Sequence, residues 1–355
     1  MKLIHTSDIH LDSPLSARFS PIQARERRRE LTLTLRSMID EAVTIGAKGI
    51  IIAGDFFDND RVSARTIDTV MGFIEKEKGL TFYYLPGNHE KDRLTASGVK
   101  IPDNLKIFGE EWTYFDLGDG VTLCGRSKIT QNMFDSLSLS GNGVNILTLH
   151  GELADRTDAP DKIGLGELEK FPVNYLALGH YHSFSETKIG DGGVAVYCGT
   201  PEGRGFDEAG DKGYVIVDVD ESGVIYRFVK RAMRTVHIIP VDISGAERYM
   251  DIENRISDKL VGINRADVVR IVLTGKYEVG LRRDTESLTA RFSSSYYYFE
   301  VKDESRLKIS IDDYKNDKSL KGEFIRLVLS KEGLSQNDKE AIIECGLRAL
   351  SGETI

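Results

Sequence analysis

Apolar residues in the first two thirds of the chain form short β-rich runs, and longer segments with helical spacing separate them. The runs that we predict to be strands are Lys2–Thr6, Gly49–Ala53, Phe82–Leu85, Val121–Gly125, Val144–Leu149 and Tyr175–Leu178. Two later runs, Gly213–Val219 and Val224–Val229, flank the segment Asp-Glu-Ser-Gly, a pattern typical of a hairpin. Strands that alternate with helices and are followed by hairpins predict a layered α/β sandwich.

Two helices are predicted among the early strands. Ser20 can cap the first, because Pro21 suits the first helical position and Gln23 completes a capping box. The apolar residues that follow keep helical spacing as far as Ala42. A second helix is expected over about Ser63–Glu77.

The pattern changes near Arg234, beyond which strand-like and helical segments alternate again. The elements predicted there are the strands Val236–Val241, Asp267–Thr274 and Tyr296–Val301, the helix Arg248–Leu260 and the partly helical segment Leu281–Phe292. We therefore predict three parts: a domain over residues 1–232, a small α+β domain over 235–311, and a polar linker with C-terminal helices over 312–355.

Two short amphipathic helices close the chain. Their apolar stripes are Leu320, Phe324 and Leu327 on the first, and Ile343, Leu347 and Leu350 on the second, which Ser335 can cap. Two short helices after a polar linker cannot make a stable core alone. The stripes must therefore pack on the body of this chain, on a second copy or on a partner.

The composition limits the classes of protein that fit. Three cysteines among 355 residues show no C-x-x-C pair, which disfavours a disulfide framework or a thiolate metal site and favours a reducing compartment. We see neither a signal peptide nor an apolar run of the roughly 18 residues that a membrane span needs, so we expect a cytoplasmic protein. The net charge of −9 argues against broad nucleic-acid binding. Any phosphate backbone must then be held by a local patch, a metal cluster or a partner.

Five short polar motifs each follow an apolar β-like run directly. In chain order they are Asp8-Ile9-His10, Gly54-Asp55-Phe56-Phe57-Asp58, Gly87-Asn88-His89-Glu90, His150-Gly151-Glu152 and Gly179-His180-Tyr181-His182. Sites in α/β sheets gather at the carboxyl ends of strands, so we expect five ligand-bearing strand ends to converge. A single pair of this kind is also typical of a loop or core histidine, but five motifs in this order favour a metal site.

The spacing of these side chains suits a pair of metal ions. Residues i and i+2 leave a strand on the same side, so Asp8 and His10 can bind one ion together. His180 and His182 can reach the two members of a pair about 3.5–4 Å apart, and Asp55 can bridge them. An imidazole-rich set favours manganese, iron or zinc over magnesium. With two divalent ions bound, the cluster keeps a net positive charge, which should attract a phosphate.

In these motifs the chain resembles the calcineurin-like metallophosphoesterase superfamily, whose pattern is D-x-H, G-D-x-x-D, G-N-H-[DE], H and G-H-x-H. The segments 5–14 and 199–208 are similar to SbcD-type DNA repair nucleases of the YhaO-like branch. The resemblance implies an α/β fold with a layered metallophosphoesterase β-sandwich flanked by helices. It also implies a small α+β capping domain and a C-terminal helical tail.

The resemblance implies roles for the motif residues. One metal ion would be held by Asp8, His10 and His182, the other by Asn88, His150 and His180, with Asp55 between them. His89 would lie over the phosphate and stabilise or protonate the leaving oxygen, which makes it the expected catalytic residue. His5 is expected to support the cluster from behind the ligands. Asp58 and Glu90 are expected to be structural partners. Manganese is the expected metal, with iron and zinc as alternatives.

The flanking residues favour a phosphodiester over a monoester substrate. Related serine/threonine phosphatases grip a monoester with arginines in G-D-x-V-D-R-G and R-G-N-H-E. Here Asp58 is followed by Asn59-Asp60, and Pro86 precedes Gly87, so both arginines are missing. A diester carries less charge and does not need them. Basic residues that could contact a nucleic-acid backbone are Arg25, Arg27, Arg28, Arg29, Arg61, Arg65, Lys91, Arg93, Arg126 and Arg204.

The family implies exonuclease action on duplex DNA ends and cleavage of single strands. It also implies an SbcC-like ATPase partner with coiled-coil arms, on which the C-terminal helices would dock; a homodimer is a further possibility. Two alternatives stay open: a phosphodiesterase for a small nucleotide, and a metal-bearing scaffold that positions a partner ATPase. The complete motif set, His89 included, argues against the scaffold.

Overall fold

The protein is represented by a computed structural model, which describes residues 1–15, 19–58, 62–87, 99–155, 162–220, 223–278, 280–308 and 317–350. The chain divides into two compact units, Met1–Val236 and His237–Ile355. No helix among these described ranges combines the length and apolar character that crossing a membrane requires.

The first unit contains fourteen strands and three α-helices among its described residues. The strands are β1 Lys2–Thr6, β2 Gly49–Ala53, β3 Thr81–Leu85, β4 Leu105–Ile107, β5 Thr113–Gly118, β6 Val121–Gly125, β7 Val144–His150, β8 Glu152–Ala154, β9 Lys162–Gly164, β10 Tyr175–Gly179, β11 Ser185–Ile189, β12 Gly193–Tyr197, β13 Gly213–Asp220 and β14 Gly223–Lys230. The helices are α1 Pro21–Thr44, α2 Ala64–Lys76 and the single turn α3 Leu165–Leu168.

Twelve of these strands form two six-stranded sheets, in the orders β14-β13-β1-β2-β3-β4 and β11-β12-β10-β7-β6-β5. The strands β1 to β4 run parallel in the first sheet, and β6, β7, β10 and β12 run parallel in the second. Leu3, Ile51 and Leu85 of the first sheet share a buried cluster with Leu123 and Ile146 of the second. The sheets therefore face each other across one core, and the predicted layered α/β sandwich is confirmed.

The two predicted helices cover the outer face of the first sheet. Leu35 and Met38 of α1 and Val70 of α2 share a buried cluster with Ile50 and Ile52 of β2. The side chains of β2 alternate between this cluster and the one between the sheets, as expected for a strand buried on both faces.

Local polar contacts define where these helices begin. Ser20 Oγ accepts a hydrogen bond from the Gln23 amide at 3.3 Å, and Gln23 Oε1 accepts one from the Ser20 amide at 3.2 Å. This is the capping box predicted from the sequence. Ser63 caps α2 by accepting from the Thr66 amide at 3.2 Å. Each cap satisfies amides that the first helical turn leaves unpaired.

A buried charged network secures the last residues of the first unit. Glu202 is completely buried and accepts hydrogen bonds from both terminal nitrogens of Arg27 at 3.0 Å and from Thr34 Oγ1 at 3.0 Å. It also accepts from the backbone amides of Met233 at 2.7 Å and Arg234 at 3.2 Å. Five donors on one carboxylate offset the cost of burying its charge.

The second unit combines strands and helices. Its strands are β15 Val236–Asp242, which begins on the last residue of the first unit, β16 Val268–Thr274, β17 Lys276–Tyr277, β18 Tyr298–Asp303 and β19 Arg306–Leu307. Its helices are α4 Tyr249–Lys259, α5 Thr285–Ser293, α6 Leu320–Leu329 and α7 Gln336–Leu350. The strands form a three-stranded sheet, β15-β16-β18, and a two-stranded pair, β17-β19.

The two C-terminal helices pack into the core of this second unit. Ile325 and Val328 of α6, together with Ile343 and Leu347 of α7, belong to the same buried cluster as the strands of the domain. The stripe expected on α6 is rotated from the face that is buried, because Leu320 and Leu327 are 71% and 59% exposed. The predicted linker over 312–318 lies outside the described residues except for its last two positions.

Candidate metal centre

The motif residues gather where strands of both sheets end. Asp8 and His10 follow β1, Asp55 follows β2, and His150 ends β7. Asp8, His10 and Asp55 have φ angles of 49°, 47° and 47°, and His180 after β10 has a φ of 108°. A residue other than glycine rarely takes such angles, and those that do cluster at functional sites. The chain therefore turns sharply as each of these side chains is presented.

Asp8, His10 and His182 form one group of metal-ligand atoms, all within 4.8 Å of one another. Asp8 is completely buried, and its Oδ1 lies 3.6 Å from His182 Nε2. Two ligands that are each about 2.1 Å from a common ion lie about 3–4 Å apart, so this spacing suits one ion.

Asp8, Asp55 and His150 form a second group on the same 4.8 Å criterion. Asp55 Oδ2 lies 3.5 Å from His150 Nε2 and 3.8 Å from His10 Nε2. One carboxylate oxygen thus faces an imidazole of each group. Within the described residues, both ring nitrogens of His10 are buried and make no hydrogen bond. Carboxylate and imidazole donors at these separations fit a pair of divalent ions.

Two carboxylates, the buried Glu208 and the half-buried Asp58, lie beside the imidazoles of the first group. Glu208 Oε1 accepts from His182 Nδ1 at 2.7 Å, and Asp58 Oδ1 lies 3.3 Å from His10 Nδ1. Burial alone would raise the pKa of Glu208, but hydrogen bonds from His182 and Arg204 lower it below its usual range. Burial would lower the pKa of His182, and its hydrogen bond to Glu208 raises it above the usual value.

The imidazole of the second group has a backbone partner instead. His150 Nδ1 lies 2.9 Å from the carbonyl oxygen of Ala53, the last residue of β2. The ring of His180 is 5.7 Å from that of His150 between centroids, and the backbone amide of His180 donates to Asp8 at 3.1 and 3.2 Å. His180 therefore adjoins both groups, with its ring on the exposed side of the site.

Two glycines bring the strand ends this close together. A Cβ atom on Gly54, whose φ is +89°, would lie 2.1 Å from His150 Nδ1. One on Gly179 would lie 1.9 Å from the Ala53 carbonyl oxygen. Neither position has room for a methyl group, so the ligand geometry depends on both. Neither glycine was predicted to have a role, although each directly precedes a ligand in its motif.

Four further predicted residues lie either outside the described part of the chain or outside the two ligand groups. Asn88 and His89 fall within residues 88–98, outside the described part of the chain, and so does Glu90. His5 is completely buried, and its Nδ1 lies 2.9 Å from the hydroxyl of Tyr175, which belongs to the core between the sheets.

Several basic residues considered as backbone contacts are engaged inside the protein. Arg27 is 1% exposed and belongs to the Glu202 network. Arg126 is 3% exposed, and its Nε donates to the Lys128 carbonyl oxygen at 2.7 Å. Arg204 is bound to Asp58 and Glu208. The positions Arg61, Lys91 and Arg93 lie outside the described residues.

Comparison with known proteins identifies the family. The model of the calcineurin-like phosphoesterase family matches residues 1–196. The chain belongs to this family. Its predicted membership is thereby confirmed, and with it a metal-dependent phosphoesterase class of activity at a dimetal site. The matched range contains all five polar motifs.

Three relatives extend the similarity beyond the family model. The chain is 27% identical over 295 residues to the uncharacterized metallophosphoesterase YhaO of Bacillus subtilis, covering 78% of this chain and 72% of YhaO. It is 23% identical to the DNA double-strand break repair protein Mre11 of Methanosarcina acetivorans, over 73% of this chain but 44% of that protein. It is 25% identical to the SbcD component of the nuclease SbcCD of Escherichia coli, over 61% of this chain and 64% of that protein.

Proposed function

We propose that this chain is a two-metal phosphodiesterase that acts on DNA, as the nuclease subunit of an SbcCD-like repair complex. The observation that carries the proposal is the pair of ligand groups that share Asp8 and both face Asp55 Oδ2. Two relatives, an archaeal Mre11 and the bacterial SbcD, are named for DNA repair and nuclease roles. They support DNA as the substrate.

The proposed ligand assignment is the one that the family resemblance implies. One ion would be held by Asp8, His10 and His182, the other by Asn88, His150 and His180, with Asp55 between them. When bound, such a pair supplies a nucleophile at neutral pH and offsets the charge that develops on phosphorus. Manganese is the metal we propose, with iron or zinc as alternatives. His89 donates a proton to the leaving oxygen.

The surface beside the ligands suits a nucleotide chain. An open cleft of about 430 Å³ is lined by residues that include His180, Tyr181 and His182. Tyr181 is 43% exposed, and its ring is 4.9 Å from that of Tyr197 in an edge contact. A held, exposed aromatic ring is a surface on which a base can stack.

The test is a manganese-dependent digestion of end-labelled duplex DNA, single-stranded DNA and a chromogenic diester in parallel. We expect exonuclease products from duplex ends and cleavage of single strands, and none of either with Asp8→Asn. Hydrolysis of the chromogenic diester without cleavage of either DNA would favour a small-nucleotide phosphodiesterase. Inactivity of the metal-loaded protein on all three would favour a scaffold.

We further propose that α6 contributes to binding an SbcC-like ATPase with coiled-coil arms. Leu320 and Leu327 lie seven residues apart on α6 and are exposed, whereas Ile325 and Val328 are buried in the domain core. Exposed anchors at this spacing suit recognition of a helix by a groove. The free cysteines Cys124, Cys198 and Cys345 agree with the reducing compartment that we propose for this protein.

Co-purification with the ATPase tests this second part. Leu320→Asp with Leu327→Asp should abolish it and leave cleavage of the chromogenic diester unchanged. The matched control is Ile22→Asp on α1, because Ile22 is 74% exposed and also apolar. If the double variant still binds the ATPase, α6 is not part of the interface. Formation of a homodimer through α6 is then the next measurement. Leu347 is unsuitable for this test, because it is 1% exposed and its replacement would disrupt the core.

A further inference from the structure

Arg204 lies behind the metal centre, on the 199–208 loop that follows β12. Its side chain is 17% exposed and joins two carboxylates that are far apart in the sequence. Nη1 donates to Asp58 Oδ1 at 2.9 Å, and Nη2 donates to Glu208 Oε1 at 2.6 Å. Nε and the backbone amide of Arg204 also donate to Glu208, at 3.0 and 2.6 Å. One guanidinium thus fixes both carboxylates.

Each of these carboxylates lies against one imidazole, with a hydrogen bond to His182 and without one to His10. Glu208 holds Nδ1 of His182 at 2.7 Å, and Asp58 lies 3.3 Å from Nδ1 of His10. A carboxylate on Nδ1 keeps the proton on that nitrogen and turns the lone pair of Nε2 towards the metal. Both imidazoles belong to the same ligand group, the one completed by Asp8.

The other ligand group has no such arrangement among its described residues. His150 is oriented by the carbonyl oxygen of Ala53 at 2.9 Å, and that oxygen belongs to a strand of the core. Replacing the side chain of Arg204 therefore leaves the carbonyl partner of His150 in place. The two halves of the centre should respond differently to the loss of Arg204.

The geometry at Arg204 requires an arginine. The guanidinium is planar and presents separate donors in a fixed fork, so it can hold Asp58 and Glu208 in different directions at once. A lysine ammonium has a single nitrogen on a flexible stem and cannot reproduce both contacts. Without the two contacts of the guanidinium, the buried Glu208 carboxylate and the nearby Asp58 would repel each other and turn away from the imidazoles.

We propose that Arg204 is a positioning residue for one metal site only, the one formed by Asp8, His10 and His182. It acts through Asp58 and Glu208, and its Nη2 also lies 3.4 Å from Nδ1 of His182. Loss of a group that orients a metal ligand typically weakens metal binding about 10- to 100-fold. The affected ion is the one held by the two carboxylate-oriented histidines. The inference concerns the metal centre and applies whether the substrate is DNA or another diester.

Metal binding, measured apart from activity, tests this. Manganese titration of the metal-free full chain should give two ions for the wild type. Arg204→Met should retain one ion at wild-type affinity and bind the other about 10- to 100-fold more weakly. In the electron paramagnetic resonance spectrum at two equivalents of manganese, the signal of a coupled ion pair should give way to that of an isolated ion.

A matched control is available on α1. Arg36 also joins two carboxylates, with Nη2 at 2.5 Å from Asp40 Oδ1 and 3.0 Å from Glu77 Oε1, but none of these is a ligand partner. Arg36→Met should leave both affinities and the coupled spectrum unchanged. His150→Asn should give the complementary result, with the other ion lost.

The outcomes separate the proposal from a general structural role. Two unchanged affinities in Arg204→Met, or two affinities weakened equally, would overturn it. If Arg204→Met does not fold, as judged by circular dichroism, Arg204→Lys decides the question, because lysine keeps the charge and one of the contacts. A lysine variant that folds and binds both ions normally would also overturn it.

Discussion

The two halves of the metal centre hold their histidines by different means. His182 donates to the buried carboxylate of Glu208, and His10 lies 3.3 Å from the half-buried carboxylate of Asp58, whereas His150 lies 2.9 Å from the backbone carbonyl of Ala53. A carboxylate partner makes an imidazole a more basic ligand, and a neutral carbonyl does so less. The first half therefore depends on side chains from distant segments, and the second on the packing of β2 against β7.

Asp55 faces an imidazole of each half, so we expect its loss to have the largest effect. Its Oδ2 faces His10 at 3.8 Å and His150 at 3.5 Å. Asp55→Asn should weaken both ions and reduce diester turnover by about a thousandfold or more, a loss of several kcal/mol of charge stabilisation. Metal content and turnover are the measurements, with the exposed Asp68→Asn on α2 as control. Loss of a single ion would mean that Asp55 serves one half alone.

His89 should matter to turnover and to neither half of the centre. His89→Asn should retain both ions and lower turnover about 10²–10⁴-fold, the usual contribution of a general acid. The variant is measured with metal content and turnover side by side. His237→Asn is the control, since His237 lies in the second unit with its Nε2 2.9 Å from Asp267. Unchanged turnover in metal-loaded His89→Asn would remove this histidine from the mechanism.

Gly54 offers a way to disturb the half whose imidazole is oriented by a backbone carbonyl. An added Cβ would lie 2.1 Å from His150 Nδ1, at a φ of +89° that alanine rarely adopts. Gly54→Ala should displace His150 and weaken one ion about 10- to 100-fold, with the ion of His10 and His182 retained. Gly72→Ala on α2, where a Cβ meets nothing within 4 Å, is the matched control. Equal loss of both ions would show that the halves are not independent.

His5 is a buried imidazole that belongs to neither ligand group. Burial lowers the pKa of His5 to about 3, so this ring is neutral in the folded protein. Below about pH 6.5 the unfolded chain takes up a proton that the folded His5 does not, so stability falls by up to about 1.4 kcal/mol per pH unit. His5→Gln should reduce the slope of unfolding free energy between about pH 6.5 and 5. Denaturant titrations at several pH values measure it, and equal slopes would contradict the assignment.

Local patterns were sufficient to predict much of the fold. Ser20, Pro21 and Gln23 predicted the start of α1 because a capping box involves neighbours in the sequence. Apolar runs such as that of β2 predicted the central strands because those strands are buried on both faces. Where apolar residues lie on two sides of one helix, periodicity alone cannot choose between them. On α6 it selected Leu320 and Leu327, whereas the core buries Ile325 and Val328.

The contacts that orient the ligands could not be predicted in this way. Asp58 and Arg204 meet although 146 positions separate them in the chain, and Arg204 in turn holds Glu208 beside His182. Their pairing depends on how the 199–208 loop returns to the end of β2, which no local pattern encodes. In the sequence, the segment 199–208 is distinguished only by its resemblance to a family. The role of its charged residues required the fold.

The buried carboxylate of Glu202 has a consequence for anyone who shortens this protein. Two of its donors are the amides of Met233 and Arg234, at 2.7 and 3.2 Å. A chain cut after residue 232 would leave that carboxylate short of both donors, a loss on the order of 1–3 kcal/mol per unsatisfied group. A chain ending at Val236 keeps them, together with the bridge between Val236 and Gly210. A few residues that belong to no motif thus decide whether an isolated catalytic fragment can be prepared.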